Sequence, residues 1–286
     1  MKILKSLYAM ICALVLPLSF TACEDDVHRD EHGLAVSLAW ENGADACTET
    51  GDIRLYIYHK DGALADTRTY PDAASLASGL LPLDEGNYTV VVLAKLTDDY
   101  ILSGDAATAE ELLLTLGEAS CSPGHAFYGA AEISVPGSGK VQTEVALCRA
   151  LAELAVVIND APQGVKLDTE VSNAASGFRP ATGVPHDETE KAHFPQTTAE
   201  GGTLSTGMMR LMPTAAGEPN SRLRLVLHPA GGGELICNVE APVMERGKSY
   251  TLTLKYDELH PEIHVGDVGV GDWTVGGEIE GGEATE

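Results

Sequence analysis

Apolar and polar positions alternate along most of this chain. In the run 34–40, Leu34, Val36, Leu38 and Trp40 fall on one face. A period of two predicts a half-buried strand. Ile53, Leu55 and Ile57 alternate with Arg54, Tyr56 and Tyr58 in a second. Lys60-Asp61-Gly62 follows as a turn, since glycine takes positive φ without steric cost. Leu64 to Tyr70 is then the hairpin partner. Asn87 to Ala94 is dense in β-branched residues and is the strongest strand signal in the chain. Phe127-Tyr128-Gly129 and Ala131 to Val135 continue in the same way. Pro136-Gly137-Ser138-Gly139 reads as a hairpin turn, and Lys140 to Leu147 as the next strand.

Two segments are less uniform. Thr108-Ala109-Glu110-Glu111 has the form of a capping box, which predicts a short helix or helical turn over Leu112 to Leu116. In Arg149 to Ile158, the residues Ala150 to Leu154 favour helix and Val156, Val157 and Ile158 favour strand. The segment is short and leads into Pro162 and Gly164, so it is read as a strand. Residues 161–200 read as loop, with Gly177, Pro180, Gly183, Pro185 and Pro195. Leu204 to Met212 is a strand. Arg222 to Leu227 alternates strictly, with Leu223, Leu225 and Leu227 inward. Gly231-Gly232-Gly233 turns it into Glu234 to Val239. A last long strand opens at Gly247, with Tyr250, Leu252, Leu254 and Tyr256 on one face. Glu262 to Val265 and Asp272 to Val275 are again strand-like.

Many short strands, glycine-rich turns and almost no helix predict an all-β protein of antiparallel sandwiches. The seam between two of them falls near Cys148. Gly86-x-Tyr88 and Gly247-x-x-Tyr250 echo one another. Each follows an acidic turn and opens a long strand with an inward tyrosine, whose hydroxyl can bond backbone at a sandwich edge. The expected division is a signal peptide over 1–22, a tether over 23–33, sandwiches over 34–147 and 148–275, and a mobile acidic tail over 276–286.

The N-terminus breaks the β pattern. Lys2 and Lys5 precede an apolar run from Met10 to Leu18, and Leu18-Ser19-Phe20-Thr21-Ala22-Cys23 follows. Charged start, apolar centre and small residues before the cut describe a secretory signal. The apolar run is shorter than the roughly 20 residues that span a bilayer. The cysteine directly after the small residues makes this a bacterial lipobox, with Cys23 as the lipid attachment residue. Its thiol takes a diacylglycerol and its freed amine a third acyl chain. Each buried methylene contributes about 0.8 kcal/mol, and a single chain anchors only marginally; three hold. Phe20 departs from the usual aliphatic residue. Glu24-Asp25-Asp26 is an acidic follow-on, readable as a solvated tether or as a tag for surface export.

Composition narrows the function. The chain has 286 residues, 18 Lys and Arg against 43 Asp and Glu, and a net charge of −25. Loss of residues 1–22 removes two lysines and leaves −27. Such a charge disfavours nucleic acid and anionic head groups as partners. Apolar content of 44% suffices for real cores. Cys47, Cys121, Cys148 and Cys237 remain in the mature chain, an even number in an exported protein. Three pairings are open, as are free thiols. No catalytic residue, metal ligand or cofactor site emerges. His260 and His264 have zinc-like spacing, but Pro261 and the β pattern oppose the helix that would bring them together. His186 and His193 lie in the expected loop. No Gly-x-Ser-x-Gly elbow occurs. Glu110-Glu111, Ser176-Gly177 and the glycine runs read as surface and turns. The expectation is a non-enzymatic binding protein. With two tryptophans and four phenylalanines it has little material for a glycan-stacking platform.

Several of these features together resemble a known family. They are the lipobox cysteine with its acidic follow-on, Asp52 to Tyr58 with Lys60-Asp61-Gly62, Leu83 to Ala94, Phe127-Tyr128-Gly129, and Val145 to Arg149 leading into Ala155 to Ile158. They are similar to FimB-type and Mfa-type fimbrial anchor proteins of anaerobic bacteria. The resemblance implies two tandem transthyretin-like β-sandwich domains. It also implies a lipidated minor subunit in the outer membrane that holds a pilus, limits its length and has the shaft subunits as partners. A surface glycan-binding lipoprotein and a shaft or tip pilin are the alternatives. Shaft subunits of this type lose an N-terminal strand by cleavage after a basic residue, and another subunit's strand fills the gap. Here Arg29 is the early basic residue, and it precedes the strand 34–40.

Overall fold

The structure is a computed structural model and describes residues 32–42, 50–103, 106–117, 122–186, 189–259, 262–264 and 269–272. The expected signal segment, Cys23, Arg29, Cys47, Cys121 and the expected C-terminal tail lie outside the described residues.

The fold is all-β. In the first half, β1 (Gly33–Trp40), β2 (Ile53–His59), β3 (Leu64–Tyr70), β4 (Gly86–Ala94), β7 (Phe127–Val135) and β8 (Lys140–Arg149) form one path in the order β1-β8-β7-β4-β2-β3. Two short strands, β5 (Tyr100–Leu102) and β6 (Leu114–Leu116), arise from the β4–β7 connection. β7 and β8 pair only through Phe127↔Arg149 and Tyr128↔Cys148, and beyond these the path folds over. The β1–β8 layer therefore lies on the β2–β4–β7 layer. Leu34, Val36, Leu38, Trp40, Val145 and Leu147 meet Ile53, Leu55, Ile57, Val90, Val92 and Phe127 in one core. The alternation in 34–40 and 53–57 is thus the inner face of a sandwich.

A second core belongs to β9 (Ala152–Asn159), β10 (Lys166–Ala175), β13 (Thr189–Thr198), β14 (Thr203–Ser205), β15 (Met209–Leu211), β16 (Arg222–His228), β17 (Leu235–Glu240) and β18 (Lys248–Lys255). One sheet runs β13-β10-β16-β17 and ends on β19 (Glu262–His264). The other runs β14-β9-β18 and ends on β20 (Gly269–Asp272), with β15 also on β9. Leu154, Val156 and Ile158 of one sheet face Leu223, Leu225 and Leu227 of the other.

The two halves repeat one topology. The path β3-β2-β4-β7 corresponds to β13-β10-β16-β17. In each half the first strand pairs parallel with the last, β1 with β8 and β9 with β18. Most other pairs are antiparallel, as expected; β17 with β19 is a third parallel pair. The tyrosine echo does not follow this repeat, because Tyr88 lies in β4 and Tyr250 in β18, which are not equivalent strands. Its physical content does hold. Both rings are buried. The Tyr88 hydroxyl donates to the Asp84 carbonyl at 3.0 Å and the Tyr250 hydroxyl to the Val243 carbonyl at 3.1 Å.

Four expectations are corrected. The stretch 112–116 is not helical. Thr108 Oγ1 accepts from the Glu111 N–H at 3.3 Å for a single turn, and Leu114–Leu116 is then strand β6. Strand partners on both sides of β6 outweigh a helix too short to sustain itself. Residues 161–200 are not mainly loop. Leu167, Thr169 and Val171 alternate inward along β10, and β13 pairs beside it through two bulges. Gly177, Pro180, Gly183 and Pro185 mark the short hairpin of β11 (Gly177–Arg179) and β12 (Val184–Pro185), while Pro195 lies in β13. Gly177 is therefore strand, and His193 lies on β13. Leu204 to Met212 is two strands, β14 and β15, broken at 206–208. Finally, an unexpected helix α1 (Ala73–Ser78) follows β3. Asp72 caps it by accepting from the Ser75 N–H at 2.7 Å, and Ala73 and Leu76 pack into the first core.

Candidate assembly surface

The chain enters the first sandwich at a defined pole. Gly33 N–H donates to the Gly139 carbonyl at 3.3 Å, and His32 Nδ1 lies 3.2 Å from the same oxygen. Gly33 has φ +143°, and a Cβ there would sit 2.2 Å from the Leu81 carbonyl oxygen. Only glycine lets the strand start so close to the 80–83 loop. Leu34 then exchanges both backbone bonds with Leu81 at 2.8 Å. From this pole β1 runs against β8 over eight register pairs, Gly33↔Lys140 to Trp40↔Leu147. Arg54 lies in β2, between β3 and β4, so a cut there would divide the middle of a sheet.

At the opposite end of β1 the two halves meet. Trp40 and Phe127 pack edge to face at 4.8 Å, and the Arg149 guanidinium lies over both rings, at 5.7 and 5.2 Å. Lys95 Nζ lies 5.6 Å from the Phe127 ring centre. The His125 ring stacks on Phe127 at 6.3 Å. Burial pushes the His125 pKa down to about 4, helped by the positive charges of Arg210, Arg149 and Lys95. Across the seam Tyr128 packs on Phe178 at 4.6 Å. Arg246 lies over the Tyr128 ring at 5.2 Å and donates to the Gly183 carbonyl at 2.8 Å. Leu93, Leu114, Leu151, Phe178 and Met212 make this seam apolar. Fully burying one such side chain contributes about 1.5–3 kcal/mol, against about 0.5–2 kcal/mol for a cation over a ring. The apolar contacts dominate. β6 pairs with β11 here, joining β5, β6, β11 and β12 into one sheet built from both halves.

Exposed sheet edges are where partner strands would add. On edge strand β3, the Asp66 carboxylate accepts from the Thr67 N–H at 2.8 Å and pairs with Arg68 at 2.9 Å, which blunts the edge. Edge strand β13 carries Pro195, Lys191 and two register shifts. On the outer face of β4 and β7, a groove of about 340 Å³ is lined by Lys60, Asn87, Thr89, Glu132 and Ser134. Its lining is mostly polar, with Ile133 also bordering it, and the ring of neighbouring Tyr88 packs in the core.

The remaining candidates fall apart in space. Cys148 lies buried at the seam and Cys237 in the second core, both as free thiols. Burial pushes the Cys148 thiol up to about 11 and the Cys237 thiol up as well. Such thiols are poor nucleophiles. His186 Nδ1 lies 3.2 Å from Ser176 Oγ, and His193 Nδ1 on edge strand β13 lies 3.5 Å from Glu170 on neighbouring β10. His260 and the side chain of His264 lie outside the described residues. Among the described residues no three His, Cys, Asp or Glu side chains converge as a metal site, and no helix is long and apolar enough to cross a membrane. Sequence reasoning missed the seam contacts of Trp40, Arg149, Phe178 and Arg246. Phe127-Tyr128-Gly129 and Val145 to Arg149 carry the family resemblance and Trp40 reads as an inner-face residue, but none of them signals a seam.

Comparison with known proteins agrees with this architecture. No curated protein matches the chain at a significant level. A solved structure of a Bacteroides thetaiotaomicron protein, provisionally described as an adhesin, is similar with a TM-score of 0.60 and 14% identity, over 87% of this chain and 99% of that one. The fimbrial anchor protein Mfa2 of Porphyromonas gingivalis is similar with a TM-score of 0.57 and 14% identity, over 77% of this chain and 90% of that one. A cell adhesion protein, also provisionally described, from Bacteroides eggerthii gives 0.55 and 15%, over 85% and 96%. At these identities the likeness establishes the fold. The family model described as fimbrillin-A associated anchor proteins Mfa1 and Mfa2 matches residues 20–275, and the chain belongs to that family.

Proposed function

We propose that this protein is a lipid-anchored minor fimbrial subunit that attaches a pilus to the outer membrane and limits its length. Its mature form begins at Cys23, acylated there, with residues 23–33 as a short tether and sandwich domains over 34–147 and 148–275. It acts by binding shaft subunits and has no enzymatic role. The observation that carries the reading is the position of β1. The strand begins ten residues after Cys23, fills the first core with Leu34, Val36, Leu38 and Trp40, and pairs with β8 along its whole length. Cleavage after Arg29 would release the lipid and leave β1 in place, so no acceptor groove would open. An uncut chain keeps both its lipid and its own closed first sandwich, as an anchor requires. Membership of a fimbrial family supports a surface location.

The test is on cells. Cys23→Ala should move the protein out of the detergent-soluble membrane fraction and remove the acyl mass from its N-terminus. Deletion of the gene should shed intact fimbriae into the medium. Should deletion instead abolish the filament, with the native protein starting beyond residue 40, the protein is a shaft pilin. Tight, sugar-specific binding by the mature protein on a glycan array would favour the glycan-binding alternative.

A further inference from the structure

We infer that each half of this protein is a tension clamp, and that the chain bears load between its N-terminal tether and its second half. The inference rests on the tether proposed above. The geometry is in the register of two strand pairs. Load from a tether enters β1 at Gly33, which lies beside Lys140 at the start of β8. β8 carries that load onward from its other end, at Arg149, and only residues 150–151 separate it from β9. The pull on β1 and the counter-pull on β8 therefore act at opposite ends of a parallel pair. That is shear. All eight register pairs from Gly33↔Lys140 to Trp40↔Leu147 share the load, and they must give way together. Were the two strands antiparallel neighbours, the same forces would act at one end and open the pairs one after another.

The second half repeats the arrangement. Load enters β9 at Ala152 and leaves β18 at Lys255. These strands are also parallel, over seven pairs from Ser249↔Glu153 to Lys255↔Asn159. The antiparallel pairs β2–β3, β10–β13 and β16–β17 lie off this path. Both clamps are fastened by further contacts, from backbone and from side chains. At the tether end Leu34 is tied to Leu81 on the edge away from β8. At the seam end Trp40 is held by Phe127 and Arg149. In β18 the Tyr250 hydroxyl donates to the Val243 carbonyl and accepts from the Glu245 N–H at 2.9 Å. The apolar seam passes force from one clamp to the next without a flexible linker. Resistance to pulling is set by the unfolding barrier along the pulling direction and not by equilibrium stability. A subunit of modest stability can therefore hold a filament if its terminal strands are loaded in shear.

Single-molecule force spectroscopy tests this on the chain from residue 23 onward, carrying Cys23→Ser and an N-terminal handle. The second handle is attached through an azide-bearing residue at exposed Lys255 in one protein and at exposed Lys140 in another. The first geometry loads both clamps in shear. The second pulls β1 and β8 apart from their adjacent ends. The expected result is a rupture force several-fold higher for the Lys255 handle, in events whose released length matches a whole half. Equal forces in the two geometries, or a lower force through Lys255, overturn the inference. Membrane release by Cys23→Ala tests the tether separately, so a failed clamp leaves the anchor reading standing.

Discussion

Single residues fix where the backbones of this fold can approach. Gly129 marks the fold in the β7–β8 path, and a Cβ there would meet the Ala146 carbonyl oxygen at 2.3 Å. The obstacle is backbone and cannot rotate away. Gly129→Ala should therefore destabilise the protein by about 3 kcal/mol, at the upper end of ordinary overpacking, measured as a lowered urea midpoint. Full stability in that variant would mean that β8 shifts freely. The two inward tyrosines give a graded test. Removal of the Tyr88 hydroxyl unpairs one backbone group, the Asp84 carbonyl. Removal of the Tyr250 hydroxyl unpairs two, the Val243 carbonyl and the Glu245 N–H. Tyr250→Phe should cost about 2 kcal/mol and Tyr88→Phe about 1 kcal/mol, at about 1 kcal/mol per bond. Chemical denaturation reads both, and the reverse order would contradict this accounting.

Among the elements, α1 shows how a strand sandwich closes its open side. The helix contacts both β1 and β3, which end opposite sides of the first sheet path. Leu76 is buried there beside Ala73 and Leu81. Leu76→Ala should cost about 3 kcal/mol through lost burial and the remaining cavity. Hydrogen exchange should show faster opening of β1 and β3 than of β4. Uniform acceleration across the sheet would argue that the helix has no local closing role. The sequence carries its signals in Asp72 and Gly79, which cap the helix. Six residues are too few for a period of 3.6 to stand out, so the helix is not legible as a pattern. The strands of the second half show the converse. Arg222 to Leu227 reads cleanly because its inner positions are all leucine. β10 hides its alternation because Thr169, a polar residue, occupies one buried position.

For the whole molecule the seam decides behaviour. His125 lies there among Lys95, Arg149 and Arg210, with its pKa held near 4 in the fold against 6.5 when free. Between these values the unfolded chain binds the proton and the folded chain does not, so stability falls as pH drops from about 6.5 to about 4. Carboxylates held below their usual range, such as Asp99 through Thr97 and Glu170 through Lys191, also lose stability on acidification. The contribution of His125 is therefore read as a difference. In His125→Gln the melting temperature should fall less between pH 6.5 and pH 4 than in the native protein. An identical decline in both would show that the imidazole titrates alike in the folded and unfolded chains.

The all-β class and most long strands with their inner faces were legible in the sequence, because a strand's side chains alternate strictly and one buried face must be apolar; β10 and β13 were not, since their inward positions include polar residues. The lipobox proposed around Cys23 likewise rests on contiguous residues, so it is a reading of local sequence that needs no tertiary contact. Pairing was not legible. Nothing local in Leu34 to Trp40 or Lys140 to Leu147 specifies that these strands lie side by side and parallel, some hundred residues apart in sequence. That follows only when the β2–β4–β7 face needs a cover and the path folds at Gly129. The seam was equally hidden. Tyr128 comes from β7, Phe178 from β11 and Arg246 from the loop before β18, and their contact exists only once both halves have formed. Tertiary structure likewise turned two similar tyrosine motifs into parts of different strands, and made β6 a strand by supplying partners on both of its edges.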